Sequence, residues 1–188
     1  GHDNTAVGYA ALDGNTTGTF NVAVGTGAIG STNNAGWNTA VGHGAGGSMT
    51  GSNNTVMGSY ALTRGGSSGS YNTVIGSYAI DTLGGGATGS NNTVMGYQAM
   101  IDTKAGGQNI GIGNRSLATN VAGNQSTAIG YEAMRYANST TTTTTTYNTA
   151  VGYQALMGST TASANTGTNN TALGHSALSS VTSGSGNT

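Results

Sequence analysis

Large apolar side chains recur along the chain about every 17 residues, each inside a nine-residue motif that reads N-T-A-V-G-x-x-A-L. A polar linker separates one motif from the next. The motifs start at Asn4, Asn21, Asn38, Asn54, Asn72, Asn92, Asn109, Ser126, Asn148 and Asn170, and the spacings run from 16 to 22 residues. All of the variation falls in the linkers, which marks them as loops. A fixed period of this length is the signature of a stacked repeat. Helix is disfavoured by the apolar spacing and by the Gly, Thr and Asn content. The expected fold is therefore all-β, a parallel β-solenoid or β-roll of about ten coils, in one repeat domain over residues 1–188. At the usual strand separation of about 4.8 Å, ten coils stack into a rod about 50 Å long.

Each position of the motif carries its own signal. The fourth is always large and apolar: Val7, Val24, Val41, Met57, Ile75, Met95, Ile112, Ile129, Val151 and Leu173. The ninth is mostly so, with Leu12, Leu62 and Leu156 typical. These two columns read as the core of the coil. The second position, usually Thr, shares a strand face with the fourth because side chains alternate. The third points the other way and holds small apolar residues, among them Ala6, Ala23, Ala40, Ala128, Ala150 and Ala172. A strand with one face in water carries polar residues there, so this column reads as an inter-chain face. Two large side chains per coil make a thin core, and three rolls packed through the alanine column remedy that. A homotrimer is the expectation; a monomeric solenoid with an Ala-rich face is the alternative.

The fifth position is Gly throughout: Gly8, Gly25, Gly42, Gly58, Gly76, Gly96, Gly113, Gly130, Gly152 and Gly174. It reads as a corner that needs positive φ, or as backbone contact too tight for a Cβ. The first position is Asn in nine units. Stacked at one height, these amides can form a hydrogen-bonded ladder while capping a turn.

Composition narrows the function. Only 5% of residues are charged and the net charge is -1, which argues against nucleic acid and anionic lipid as partners. No apolar run approaches the length of a membrane span, and no Cys is present to form a disulfide framework. The start at Gly1 rather than Met reads as a processed product or an excerpt from a longer chain. The acids Asp3, Asp13, Asp81, Asp102 and Glu132 are scattered without acid–base or calcium-loop spacing. His43 and His175 occupy the sixth position, which Tyr holds elsewhere, and read as surface side chains. Neither an enzyme, a metal site nor a cofactor is expected. Phe20, Trp37, Tyr71 and Tyr147 each sit just before the repeat Asn, at one corner of the coil. Neutral aromatic-plus-Asn surfaces suit glycan stacking; the other reading is that the rings cover coil edges. The segment Asn138–Thr146, with its run of seven Thr, reads as a flexible excursion, a glycosylated patch or an extended β arm.

The motifs N-T-A-V-G-Y-A-A-L at Asn4–Leu12 and N-T-A-V-G-Y-Q-A-L at Asn148–Leu156 resemble the head repeats of trimeric autotransporter adhesins (YadA-like). They are similar also to repeats in phage tail fibres and bacterial surface fibres. The units here are longer and more variable than those of the adhesin heads. The resemblance implies a left-handed roll, trimerisation and an attachment role outside the cell or on a virion. The leading expectation is thus a fibre module presenting loops to a host receptor or surface glycan. A subunit that polymerises end to end is a second reading, since solenoid ends expose strand edges. An ice-binding solenoid is a third, motivated by the Thr column, although that column shares the face read as core and so should point inward.

Overall fold

The computed structural model describes every residue except 32–34, 64–66, 82–87, 137–143 and 162–163. It is an all-β solenoid of parallel strands. In chain order the strands are β1 (Thr5–Val7), β2 (Val22–Val24), β3 (Thr39–Val41), β4 (Thr55–Met57), β5 (Thr73–Ile75), β6 (Thr93–Met95), β7 (Ile110–Ile112), β8 (Gly123–Asn124), β9 (Thr127–Ile129), β10 (Thr144–Thr145), β11 (Thr149–Val151) and β12 (Thr171–Leu173). All but β8 and β10 form one ten-stranded sheet in sequence order. The register is constant, so that each motif position stacks on itself: Ala6 on Ala23, Val56 on Val74, Ala150 on Ala172. β8 and β10 make a small second parallel pair. The first residues of the Thr-rich segment lie outside the described residues, and its Thr144 and Thr145 form β10.

The expected inside and outside of the strand are reversed. In every strand of the long sheet except β1 the middle residue is buried while its neighbours are not, as in β4, β6 and β12. The interior therefore holds the third column, with Ala23, Ala40, Ala128 and Ala150 fully buried and Ala172 nearly so. These alanines are not an inter-chain face. Ala6, on the first strand, is exposed. The fourth column, Val7, Val24, Val41, Met57, Ile75, Met95, Ile112, Ile129, Val151 and Leu173, is not core; it lies on the outer face, half-buried or exposed. Width bears on the reversal. The chain turns back within a few residues of each strand, so the alanines of the eighth column, such as Ala28, Ala79 and Ala99, come up against the strand from inside. Small residues therefore suit the third column, although Val56, Val74 and Val94 are also fully buried there. The ninth column supplies larger buried side chains, with Ile29, Met100, Leu117 and Met134 fully buried, Leu62 and Leu156 nearly so, and Leu12 and Leu178 packed against the core.

The interior compensates when a column breaks. The ninth position is Gly46 in one turn, and Met49 fills the space; a Cβ on Gly46 would lie 3.2 Å from its Cε. The third position is Gly111 in another, where a Cβ would lie 3.2 Å from Met100 Cγ.

The chain turns sharply because several residues per repeat take left-handed backbone. The fifth-position glycines have φ of 122–138°, a region closed to side chains. They also stack backbone to backbone: a Cβ on Gly42 would lie 2.8 Å from the carbonyl carbon of Gly58. Ninth-position residues adopt positive φ as well, including Leu62 at 51° and even β-branched Ile29 at 46°. Complete burial of Ile29 offsets that backbone cost.

The repeat Asn is buried and forms a ladder. Asn72 N–H donates to Asn54 Oδ1 at 2.9 Å, and the Asn72 amide donates to Asn54 Oδ1 and to the Gly89 carbonyl, each at 3.1 Å. The same pattern links Asn21, Asn38, Asn54, Asn72 and Asn92, each to the one before. Ser126 interrupts the amides, and its hydroxyl pairs instead with that of Thr146.

Candidate interaction faces

Alternation turns motif positions two and four outward, and the residue just before the repeat Asn, on left-handed backbone outside the strand, is exposed as well. The outer face of the long sheet thus carries three parallel columns. The aliphatic column runs from Val7 to Leu173, with Met57 43% and Met95 41% exposed. Beside it runs the threonine column, Thr39, Thr55, Thr73 and Thr93 among its members, none of them buried. The threonines point outward with the aliphatic residues, which removes the reason for expecting them inside. No charged residue occurs in either column.

The third column holds the predicted glycan-contact residues at one edge of the sheet. Phe20, Trp37, Tyr71 and Tyr147 are all exposed, and all have positive φ, between 49° and 60°. Phe20 and Trp37 stack with centroids 5.3 Å apart and planes 17° apart, and His2 meets Phe20 edge-on. Tyr71 and Tyr147 lie farther along the column. At the same point in other turns stand Asn53, Asn91 and Asn169.

Beyond the glycine corner a second aromatic ladder follows the opposite edge. His43, Tyr60, Tyr78 and Tyr97 contact one another in series, with Tyr60 and Tyr78 stacked at 5.4 Å. Farther along, Tyr131, Tyr153 and His175 stack nearly parallel at 5.3 and 4.9 Å. Between the rings of this edge, Arg135 pairs with Glu132, which also accepts from the Gln154 amide. Burial pushes the Asp102 carboxyl above its ordinary range, against the nearby Lys104, with Asp81 adding to the rise. Among the described residues no three His, Asp or Glu side chains converge as a metal site, and no helix is long and apolar enough to cross a membrane.

Sequence reasoning missed a second close-packed glycine column three residues before the repeat Asn. A Cβ on Gly51, Gly69 or Gly89 would fall within 2.0 Å of the next glycine's carbonyl oxygen. The signal was available as a Gly at that offset in most units. No family model, curated protein or solved structure matches the chain.

Proposed function

We propose that this solenoid is a rod-like module of an extracellular or virion attachment fibre, built from three copies that pack through the aliphatic column of the outward sheet face and leave its aromatic edge open. The observation that carries the reading is the uncharged aliphatic column along the whole ten-stranded sheet, exposed in the single chain. Three-residue strands about 10 Å long, stacked ten deep at about 4.8 Å, present a flat face of about 500 Å². A face of that size is comparable to the largest patch of a typical monomer, which is often functional, and here it is continuous and free of charge. Its side chains repeat in register, so a second copy of the same face meets it with matching spacing. The number three and a left-handed winding follow from the resemblance to adhesin heads and fibre repeats. The rod's stiffness comes from interstrand hydrogen bonds and the asparagine ladder, and its edges and loops supply contact groups.

The test is solution mass. Purified protein is expected at three times the 18.3 kDa chain mass by sedimentation equilibrium. The double variant Met57→Lys, Ile75→Lys is expected to sediment as a single chain while keeping its β circular-dichroism spectrum, because both residues lie outside the core. A single-chain mass for the unaltered protein at micromolar concentration refutes the trimer.

The outward threonine column favours one other use of the same face. Regularly spaced hydroxyl and methyl groups on a flat, uncharged sheet can order water, as an ice-binding surface does. The two uses exclude each other, and thermal hysteresis from a monomeric sample separates them.

A further inference from the structure

The geometry points to a saccharide-binding slot between Trp37 and Tyr71, with Asn53 at its floor. This inference deepens the attachment reading and rests on it, since it names the chemistry that the fibre would grip. Trp37, Asn53 and Tyr71 precede β3, β4 and β5 and occupy one outward column on three successive rungs. Phe20 and Trp37 stack on adjacent rungs with planes 17° apart, so the ring faces look along the stack. The other face of Trp37 looks toward the rung of Asn53, where the side chain is too short to continue the stack. Tyr71 stands one rung later, two strand spacings or about 9.6 Å along the stack from Trp37.

The size of that gap selects its occupant. Carbon contacts close at about 3.5–4.0 Å, so a flat aromatic group between the two rings leaves about 2 Å unfilled. A puckered saturated ring, thicker by its axial hydrogens, touches both. The surroundings point the same way. The hydroxyls of Thr39, Thr55 and Thr73 line the adjacent outward column, and the Asn53 amide is exposed. Residues 37–41, 53–57 and 71–75 contain no charge. A neutral pyranose offers apolar faces to rings and hydroxyls to amides, and this slot presents both partners. A phosphorylated, sulfated or acidic ligand would find no cation here.

Backbone conformation bears on which residues suit this column. Trp37 and Tyr71 hold φ of 54° and 60°, yet remain 60% and 63% exposed. Bulky residues are outliers there, whereas Asn tolerates the region, and Asn53, Asn91 and Asn169 occupy the same place at 57–61°. Burial recovers little of the strain at the two rings. The same φ recurs at this place on the other rungs, from Asp3 to Asn169, so the turn imposes it and the rings are carried there at a cost that Asn avoids.

The only tryptophan is Trp37, so intrinsic fluorescence reports directly on the slot. The intact protein is titrated with maltose, cellobiose, lactose and diacetylchitobiose. At least one is expected to give a saturable change with Kd near the millimolar range. Tyr71→Asn, the residue already used at this place on other rungs, is expected to weaken that binding at least tenfold. Asn53→Tyr, which completes the ring stack, is expected to abolish it, and Tyr131→Asn on the opposite edge to leave it unchanged. No response to any of the four sugars overturns the slot. So does Trp37 shielded from acrylamide in the oligomer and quenched only after dissociation, because the rings are then an interface between copies. Sedimentation of the same samples keeps the two readings apart: a trimer that binds no sugar loses the slot alone, and a monomer that binds sugar loses the trimer alone.

Discussion

Replacing Asn72 with Ala is expected to destabilise the protein by about 2–6 kcal/mol. Asn72 is 2% exposed and joins three rungs. Its Oδ1 accepts from the Asn92 N–H at 2.9 Å and the Asn92 amide at 3.1 Å, and its own amide reaches Asn54 Oδ1 and the Gly89 carbonyl. Alanine strands the buried Asn92 N–H and Gly89 carbonyl together, and each buried group left unpaired costs about 1–3 kcal/mol. Against a typical total of about 5–15 kcal/mol, that is a large fraction. Asn72→Asp is expected to be at least as damaging at neutral pH, since a carboxylate then faces two acceptors, Asn54 Oδ1 and Gly89 O. Guanidinium unfolding monitored by circular dichroism measures both variants. A loss below about 0.5 kcal/mol, the size of an ordinary surface change, would show that the ladder is incidental. The chain's own exception marks the limit of tolerance. At Ser126 the amide is missing, yet the backbone still donates to Asn109 Oδ1 and the hydroxyl gains Thr146.

The ladder belongs to the part of the fold that was legible beforehand. A stacked repeat places each residue type on top of itself, so the period alone yields the parallel sheet, its register and the asparagine column. What the period does not yield is direction. Alternation sorts Thr39 and Val41 from Ala40, but it is silent about which set faces inward. Side-chain size was the only guide, and it pointed the wrong way: a large residue marks the core only where the core is wide. Here the interior column is mostly Ala, as at Ala40, but it also holds Val56, Val74 and Val94, so size alone does not tell Ala40 from Val41. The ninth column was readable as core because it supplies the largest buried group in most turns. Its backbone was not readable, since nothing local proposes left-handed φ for Leu62 or Ile29; the tight return path imposes it. The candidate glycan residues were found by composition, as aromatics beside Asn. Their arrangement into a stack, a gap and a further ring emerged only once the rungs were aligned.

Gly76→Ala is expected to cost about 2–6 kcal/mol, from two separable sources. The first is conformational: Gly76 has φ of 130°, which alanine reaches only under strain of about 1–3 kcal/mol. The second is steric. The added Cβ would lie 2.5 Å from the Gly96 carbonyl oxygen, 2.8 Å from its carbon and 3.1 Å from its nitrogen. These are backbone atoms of the adjoining rung, and they cannot retreat without dragging β6 out of register. Forced overpacking adds about 1–3 kcal/mol more. Gly174 provides the control, because it shares the conformation, with φ of 122°, but has nothing within 4 Å of the Cβ position. Gly174→Ala should therefore show the strain alone, and the difference between the two variants in chemical denaturation isolates the contact between rungs. If the two lose equal stability, the glycine column exists for its dihedral angle, and close stacking of the corner contributes nothing. A Gly76→Ala loss larger by about 1 kcal/mol or more shows that the corner must be glycine on every rung so that the next rung can sit against it.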